Sequence, residues 1–306
     1  MSSDAAPPDR HEITAFFGEL QDEICAALSD YDGGGRFRED RWERPGGGGG
    51  RARVIHGNYI EKGGVNFSAV HGELPPAAAA SLHVEDGEAA FYATGVSIVL
   101  HPVNPHVPII HMNVRYFELD GGRFWFGGGI DLTPHYVVDE QAAYFHRQLK
   151  DTCDRFDPAY YPKFKRWADD YFYLPHRQET RGVGGIFFDR LQPDTEGKDK
   201  RTLFDFTAAV GRTFAPTYLE LLARNRDRPF TDAERDWQRL RRGRYVEFNL
   251  VWDRGTKFGL TTNGRTESIL MSLPPLAGWE YDFQPAPDGP EAETLRKLVK
   301  GRAWIE

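Results

Sequence analysis

Hydrophobic and polar positions alternate along residues 97–131. Two apolar runs, 95–100 and 107–119, flank a proline-rich loop, which predicts two adjacent β-strands. Because alternate side chains of a strand share a face, the polar positions of both runs fall on one face. These positions are Ser97 and His101 in the first run and His111, Asn113 and Arg115 in the second. A strand that only faces a core would be apolar there, so the pattern indicates a lined pocket.

The register of these two strands decides which side chains meet. If the connection is centred on His106, His101 lies opposite His111 and Ser97 lies opposite Arg115. Directly opposed Cβ atoms are about 4.5–5.5 Å apart, close enough for two imidazoles to share a metal or a substrate group. The alternative is a proline-rich hairpin whose histidines only make structural hydrogen bonds.

An Asp-Gly-Gly turn at 120–122 predicts a second hairpin. It places Gly127 opposite Arg115 and Gly129 opposite Asn113. Glycines beside a row of polar side chains leave room for a flat, bulky ligand. The alternative is a bulge at a corner of the sheet.

The rest of the chain is predicted to contain both helices and strands. Helical periodicity covers 11–30, 139–156, 162–174, 202–224 and 291–300, and Thr231 with Glu234 predicts a capping box at the start of another helix. Further strands are predicted within 54–67, 89–100 and 245–252, and the five glycines at 46–50 predict a flexible surface loop. Tight turns between neighbouring strands, with helices before and after, predict an α+β domain on a largely antiparallel sheet.

Composition bounds the class of protein. The 306 residues are 40% hydrophobic and 27% charged, with a net charge of −8 and two cysteines. These values favour a globular protein without a disulfide scaffold, and they argue against nucleic acid as the main partner. No apolar run is long enough for stable membrane insertion. The first ten residues lack a signal-peptide core, so we expect a disordered tail at 1–10 and a cytoplasmic location.

Three residue types offer chemistry. Four histidines could bind a divalent metal, although their spacing matches no compact motif and imidazoles can equally donate to substrate or move protons. They are His101, His111, His146 and His176. Several arginines lie beside glycines or turns, which suggests a ligand with several carboxylates. They are Arg115, Arg181, Arg254 and Arg265. Asp131 and Asp253 are candidate bases, and turn-forming aspartates are the alternative.

Five long segments carry a resemblance that covers essentially the whole chain beyond the tail. They are EKGGVNFSAVHG (61–72), GVSIVLHPVNPHVPIIHMNVRYFE (95–118), WFGGGIDLTP (125–134), YFYLPHRQETRGVGGIFFD (171–189) and YVEFNLVWDRGTKFGLTTNGRTESILMSLPPLAGWEY (245–281). They closely resemble the oxygen-dependent coproporphyrinogen III oxidases. The resemblance implies one domain over 11–306, with a large antiparallel sheet flanked by helices on both faces. It also implies a homodimer that pairs through 245–280.

The implied reaction is the oxidative decarboxylation of two propionates of coproporphyrinogen III to vinyl groups, which gives protoporphyrinogen IX in haem biosynthesis. Molecular oxygen is the co-substrate, and no flavin, haem or NAD is needed because the reduced tetrapyrrole is electron-rich. A divalent metal on the four histidines is implied by bacterial members, and its requirement varies within the family.

The resemblance also assigns residues. Substrate contacts are implied for Ser97, Asn113, Val114, Arg115, Asn263, Gly264 and Arg265, and we expect Arg181 to help to hold propionates. Asn263 departs from the Gly-Gly-Arg form of its motif. His111 matches the proposed proton donor, and Arg254 adjoins the candidate base Asp253. We expect Asp131 or Asp253 to take or hold a pyrrole N–H proton.

Two other functions stay open on the sequence alone. A metal-dependent hydrolase using the four histidines would work without oxygen and lose activity on chelation. A non-catalytic porphyrin-binding protein would bind without releasing CO2.

Overall fold

The fold is built on one seven-stranded antiparallel sheet. The computed structural model describes residues 6–74, 79, 90–261 and 264–306. Within them the sheet strands are β1 (Arg36–Glu43), β2 (Gly48–His56), β3 (Ile60–Glu73), β4 (Ala90–Pro102), β5 (Ile109–Leu119), β6 (Phe124–Thr133) and β9 (Gly184–Leu191). They lie in the order β1-β2-β3-β4-β5-β6-β9, and β7 (Tyr173–Leu174) pairs with β8 (Glu179–Thr180) in a separate ribbon. Strands β1 to β6 lie side by side in chain order, and β9 pairs with β6 after a connection that includes two helices.

One side of the sheet, here called the core face, is apolar across five strands. A row of directly paired residues runs through Val65, Ile98, Met112, Ile130 and Ile186, each at most 1% exposed. Helices α1 (Arg10–Asp32), α2 (Asp139–Asp154) and α5 (Lys200–Asn225) share one hydrophobic cluster with this row. Burying such large aliphatic side chains stabilises a domain by about 1.5–3 kcal/mol each.

The opposite side, here called the groove face, carries the polar residues of the odd-numbered positions in β4 and β5. Part of it is covered by the C-terminal end of α3 (Tyr160–Tyr171), by α6 (Asp232–Glu247) and by a π-helix (Phe248–Trp252). Tyr245 of α6 packs on Val99 and Ile109, and Phe172 and Phe248 pack together beside them. Helices therefore lie on both faces, which confirms the predicted α+β class.

The remaining described helices are short. They are α4 (Pro193–Glu196), α7 (Arg254–Thr261), α8 (Thr266–Leu270) and α9 (Pro290–Lys297). The capping box at Thr231 and Glu234 is present as predicted. Asp9 caps α1, so ordered structure begins inside the predicted tail, of which residues 1–5 lie outside the described part. No helix in the described ranges is long and apolar enough to cross a membrane.

Two local predictions are wrong. The glycines at 46–50 do not form one flexible loop, because Gly48–Gly50 begin β2 and pair with β3, where Gly50 lies against the Trp42 ring. The predicted strand at 245–252 is helical, since α6 continues to Glu247 and the π-helix follows it. Tyr245 packs on the sheet and Phe248 packs beside Phe172 at the end of α3, while Leu250, Val251 and Trp252 are exposed.

Candidate functional site

Two rows of small residues cross the groove face side by side. One row pairs Ala52, Asn66, Ser97, Asn113 and Gly129 across five strands. The next row pairs Gly50, Ser68, Gly95, Arg115 and Gly127. Adjacent rows are about 7 Å apart along a strand, and five strands span about 19 Å. Apart from Arg115 no residue of these rows is large, so they form a shallow floor, here called the glycine floor. The part that suits a flat ligand lies between the Trp42 ring, which covers Gly50, and the Arg115 side chain, which covers Gly127.

The register of this floor agrees with only part of the prediction. Gly127 opposite Arg115 and Gly129 opposite Asn113 are confirmed. The β4–β5 register is shifted by two residues, since Ser97 pairs with Asn113 and Val99 pairs with His111. The proline-rich connection is centred one residue earlier than expected. A shift of two keeps every side chain on its predicted face, but His101 and His111 are not direct partners.

His111 and Asp131 form a hydrogen-bonded pair at one side of the floor. They are directly opposite on β5 and β6, and the ring Nδ1 lies 2.8 Å from the carboxylate Oδ1. An ionised carboxylate only accepts, so Nδ1 carries the hydrogen and Nε2 is the ring nitrogen left for other partners. The His111 side chain is 21% exposed and that of Asp131 is 1% exposed. The imidazole therefore separates Asp131 from the groove.

Arg181 holds Asp131 from behind. Its Nη2 donates to Asp131 Oδ1 at 2.6 Å and its Nη1 donates to Asn249 Oδ1 at 2.9 Å. The guanidinium is 3% exposed and lies against three aromatic rings, which are Phe172, Tyr245 and Phe248 at 4.4–4.7 Å. This placement does not support the expectation that Arg181 holds a propionate. The guanidinium N–H groups point into the protein and are not accessible from the glycine floor.

This environment fixes the charge of Asp131. Burial acts to raise the pKa of the carboxyl, but the Arg181 charge and the His111 hydrogen bond outweigh it and lower the pKa below its ordinary value. Asp131 therefore stays ionised and orients His111. Because its pKa is lowered, the Asp131 carboxylate is itself a poor proton acceptor for substrate.

Arg115 lies within the floor, beside the glycines of β6. Its Nη1 donates to Asn113 Oδ1 at 2.6 Å and its Nη2 donates to Asp189 Oδ1 at 2.9 Å. The side chain is 35% exposed, so the guanidinium is accessible from the groove. A Cβ at Gly127 would lie 2.6 Å from the Asp189 carboxylate and 2.8 Å from Arg115 Nε. Only glycine at this position leaves room for the ion pair.

Arg265 lies at the far end of the floor, over β1. It pairs with Asp40, donates to Ser268 Oγ at 3.0 Å and lies 6.0 Å from the Trp42 ring centroid. Trp42 pairs with Gly50 and Asp40 pairs with Ala52, so these β1 residues extend both rows of the floor. Two half-buried arginines, Arg115 and Arg265, thus flank the glycine floor. Asn263 lies outside the described residues, and Gly264 is exposed.

Val114, Asp253 and Arg254 are placed differently from expectation. The Val114 side chain is fully buried on the core face, so it cannot contact a ligand in the groove. Asp253 accepts from Tyr171 OH at 2.7 Å and from the Thr256 amide at 2.7 Å at the start of α7, which is a structural role. Arg254 is exposed and lies 6.0 Å from the Tyr171 ring centroid.

The predicted four-histidine metal site does not form. His146 lies on α2, which packs on the core face. Its Nδ1 accepts a hydrogen bond from Tyr161 OH and its Nε2 donates to the Val183 carbonyl, both at 2.9 Å. His176 is at the surface, bonded to Glu247 and Trp252 through its two ring nitrogens. His101 donates to the Ser272 carbonyl, at 2.8 Å. Across 6–74, 79, 90–261 and 264–306, no three His, Cys, Asp or Glu residues could hold a metal together.

Burial also sets the state of two of these histidines. It lowers the pKa of His101 to about 3 and the pKa of His146 to about 4, so both are neutral at pH 7. Neutral imidazoles can bind metals, but both nitrogens of His146 and His176 are already used. The residues therefore do not fit a shared metal in this arrangement.

A comparison with known families decides the chain's identity. The family model described as coproporphyrinogen III oxidase matches residues 12–304, nearly the whole chain. The chain belongs to this family. It is thus placed among oxidoreductases of porphyrin and haem biosynthesis, with coproporphyrinogen III as the implied substrate. The glycine floor, with its flanking arginines, suits a macrocycle that carries four carboxylates.

Sequence reasoning missed three residues of the site. Asn66 completes the polar row from β3, and Asp40 and Asp189 hold the two arginines of the floor. Asp189 ends the segment GGIFFD, where an aspartate after an apolar strand was a usable signal. Asp40 and Asn66 had no comparable signal, because strand pairing over long sequence distances places them.

Proposed function

We propose that this protein catalyses the aerobic oxidative decarboxylation of two propionates of coproporphyrinogen III to vinyl groups, giving protoporphyrinogen IX. For each side chain, –CH2–CH2–COOH and O2 become –CH=CH2, CO2 and H2O2. The Cα–carboxylate bond breaks, the β-carbon loses one hydrogen, and O2 is reduced by two electrons. The observation that carries the proposal is the glycine floor with His111 beside it and Arg115 within it, in a chain of this family.

The arginines of the floor supply recognition. Guanidinium groups bind carboxylates through paired N–H donors, and both Arg115 and Arg265 are half-buried, where such bonds are stronger than in water. Ser97, Asn113 and Asn66 add hydrogen-bonding groups between them. The macrocycle lies on the floor, and the propionates reach the arginines.

His111 is the residue best placed to move a proton. Asp131 fixes its ring and stabilises the imidazolium, while Arg181 keeps Asp131 ionised. This assignment replaces the expectation that Asp131 or Asp253 is the base, because the first is sealed and the second caps α7. In our proposal His111 accepts or returns a proton of the pyrrole N–H as oxygen reacts with the ring.

Two arguments support O2 as the oxidant in our proposal, and they are the chemistry of the substrate and the small number of cysteines in the chain. A reduced tetrapyrrole is electron-rich and can react with O2 directly. The chain has two cysteines, Cys25 and Cys153, both buried, which is too few to bind a cysteine-ligated iron–sulfur cluster. Burial raises the pKa of the Cys25 thiol to about 11 and that of the Cys153 thiol to about 12, so neither is a ready nucleophile.

A homodimer and a cytoplasmic location stay predictions. Large apolar side chains are exposed within the proposed dimerisation region, and a second copy of the chain would cover them. They are Leu250, Val251, Trp252, Phe258, Leu260, Leu276 and Trp279.

The test is incubation of the purified protein with coproporphyrinogen III in air and under argon, each with and without a chelator. Products are separated and measured after oxidation to porphyrins. We expect protoporphyrin in air in both chelator conditions, and only the substrate's own oxidation product from the argon samples. A hydrolase would act under argon and stop with chelator, and a binding protein would bind coproporphyrin without releasing CO2. No protoporphyrin in air would contradict the proposal.

A further inference from the structure

Both arginines of the glycine floor already hold a carboxylate of the protein. Asp189 pairs with Arg115 at 2.9 Å, and Asp40 pairs with Arg265. The Arg115 and Asp189 side chains are 35% and 34% exposed, so water and ligands reach the pair from the groove. Because water reaches both partners, Asp189 holds Arg115 only weakly, and a ligand carboxylate can replace it at little cost.

The backbone is shaped to bring Asp189 to this position. Phe126 pairs with Leu191 and Gly128 pairs with Phe188, so β9 has two residues, Asp189 and Arg190, opposite Gly127 alone. This is a β-bulge, a feature that redirects a side chain and is common beside functional sites. Arg190 has a φ of 51°, in the left-handed region that costs energy for a residue other than glycine.

Two features therefore converge on one ion pair. They are the bulge in β9, which includes the left-handed Arg190, and the absence of a Cβ at Gly127, where the carboxylate lies. A carboxylate placed only for stability would not need this arrangement at the edge of a ligand groove.

We propose that Asp189 is a resident counter-ion of Arg115, which it releases to a propionate when substrate binds and recovers when the product leaves. The inference rests on the proposed function and deepens it, because it makes Asp189 a specificity-determining residue for a carboxylate-bearing ligand. Asp189 competes with the ligand for the Arg115 donors and repels its negative charge. Only a ligand with a well-placed carboxylate therefore displaces it.

The test measures binding of coproporphyrin III, the oxidised and unreactive form of the substrate, by fluorescence quenching. Asp189→Asn keeps the shape of the side chain and removes its charge, so we expect the Kd to fall about two- to fivefold. In an Arg115→Gln background the same substitution should leave Kd unchanged, because the competition needs Arg115. Asp154→Asn is the matched control, since Asp154 is also 34% exposed in an ion pair, with Lys150 on α2.

Each outcome decides the matter. A higher or unchanged Kd for Asp189→Asn would overturn the exchange and leave Asp189 only to position Arg115. Equal tightening in both backgrounds, or in the Asp154 variant, would show a general charge effect and overturn it as well. Turnover of coproporphyrinogen III by the wild-type protein tests the proposed function separately, since the binding ratios do not depend on it.

Discussion

Asp131 lies directly opposite His111 on the neighbouring strand and accepts a hydrogen bond from its Nδ1 at 2.8 Å. Arg181 binds the same carboxylate from the protein interior at 2.6 Å. The imidazole is therefore held in one tautomer and one orientation at the edge of the glycine floor. The site is organised as a chain of contacts from the aromatic cluster through Arg181 and Asp131 to His111.

His111→Gln tests the role of this imidazole. Glutamine keeps a polar side chain of similar reach but cannot take a proton at neutral pH, so we expect kcat to fall about 10²–10⁴-fold. The Kd for coproporphyrin III should stay within about twofold, because the arginines hold the carboxylates. His56→Gln, at an exposed histidine of β2, is the control and should change neither value. A kcat loss below about threefold would remove His111 from the chemistry.

Gly127→Ala tests the floor itself. Its Cβ would lie 2.6 Å from Asp189 Oδ1 and 2.8 Å from Arg115 Nε, so both side chains must move. We expect the KM for coproporphyrinogen III to rise about tenfold with a smaller change in kcat, which is the signature of lost substrate binding. Gly18→Ala is the control, since no atom lies within 4 Å of its Cβ position in α1. An unchanged KM for Gly127→Ala would show that substrate does not use this floor.

Sequence patterns predicted the second hairpin well and the first one less well. A three-residue turn leaves one possible register, so Asn113 opposite Gly129 followed from counting residues. The Pro-rich connection between Pro102 and Ile109 has no such constraint, and its two-residue error separated His101 from His111. The face of each strand was still correct, because a period of two survives an even shift.

Local sequence patterns do not predict contacts between segments that are distant in the chain. The short apolar run at 245–252 fits a strand and also a helix, and the packing of Tyr245 on the sheet and of Phe248 beside Phe172 favours the helix. The Arg181–Asp131 and Arg115–Asp189 pairs join segments 50 and 74 residues apart. Residue type and position identified Arg115 and Asp131 as candidate site residues, but only the fold shows their ion-pair partners, Asp189 and Arg181.

The pH dependence of the unfolding free energy should reveal the contribution of the Glu247 carboxylate. Burial acts to raise the pKa of its carboxyl, but hydrogen bonds from Arg177 and His176 and the Arg244 charge lower the pKa to about 2 from 4.5. A pKa lowered in the folded state gives stability that is present above the unfolded pKa and is lost as pH falls from about 4.5 towards 2.

Urea unfolding of the wild type and Glu247→Gln between pH 6 and 3.5 measures this effect. We expect the wild type to lose about 1 kcal/mol more than the variant, a value reduced because Arg177 and His176 are partly exposed. Parallel curves for the two proteins would show that Glu247 contributes nothing to acid sensitivity.

The exposed apolar residues of 250–279 should mediate dimer formation. A charge in the centre of an apolar interface loses its hydration without gaining a partner, so we expect Val251→Asp to be a monomer in sedimentation equilibrium. Val299→Asp is the control, because Val299 is 49% exposed, close to the 48% of Val251, and lies outside this region. A monomeric wild type, or a Val251→Asp dimer as stable as the wild type, would refute the interface.

The stoichiometry of oxygen consumption tests the central claim most directly. An oxygen electrode follows O2 while coproporphyrinogen III is converted, and the vinyl groups formed and the H2O2 released are measured in the same sample. We expect one O2 consumed and one H2O2 released for each vinyl group, with the His111→Gln protein slower but equal in ratio. Vinyl groups formed without matching O2 consumption would contradict the account.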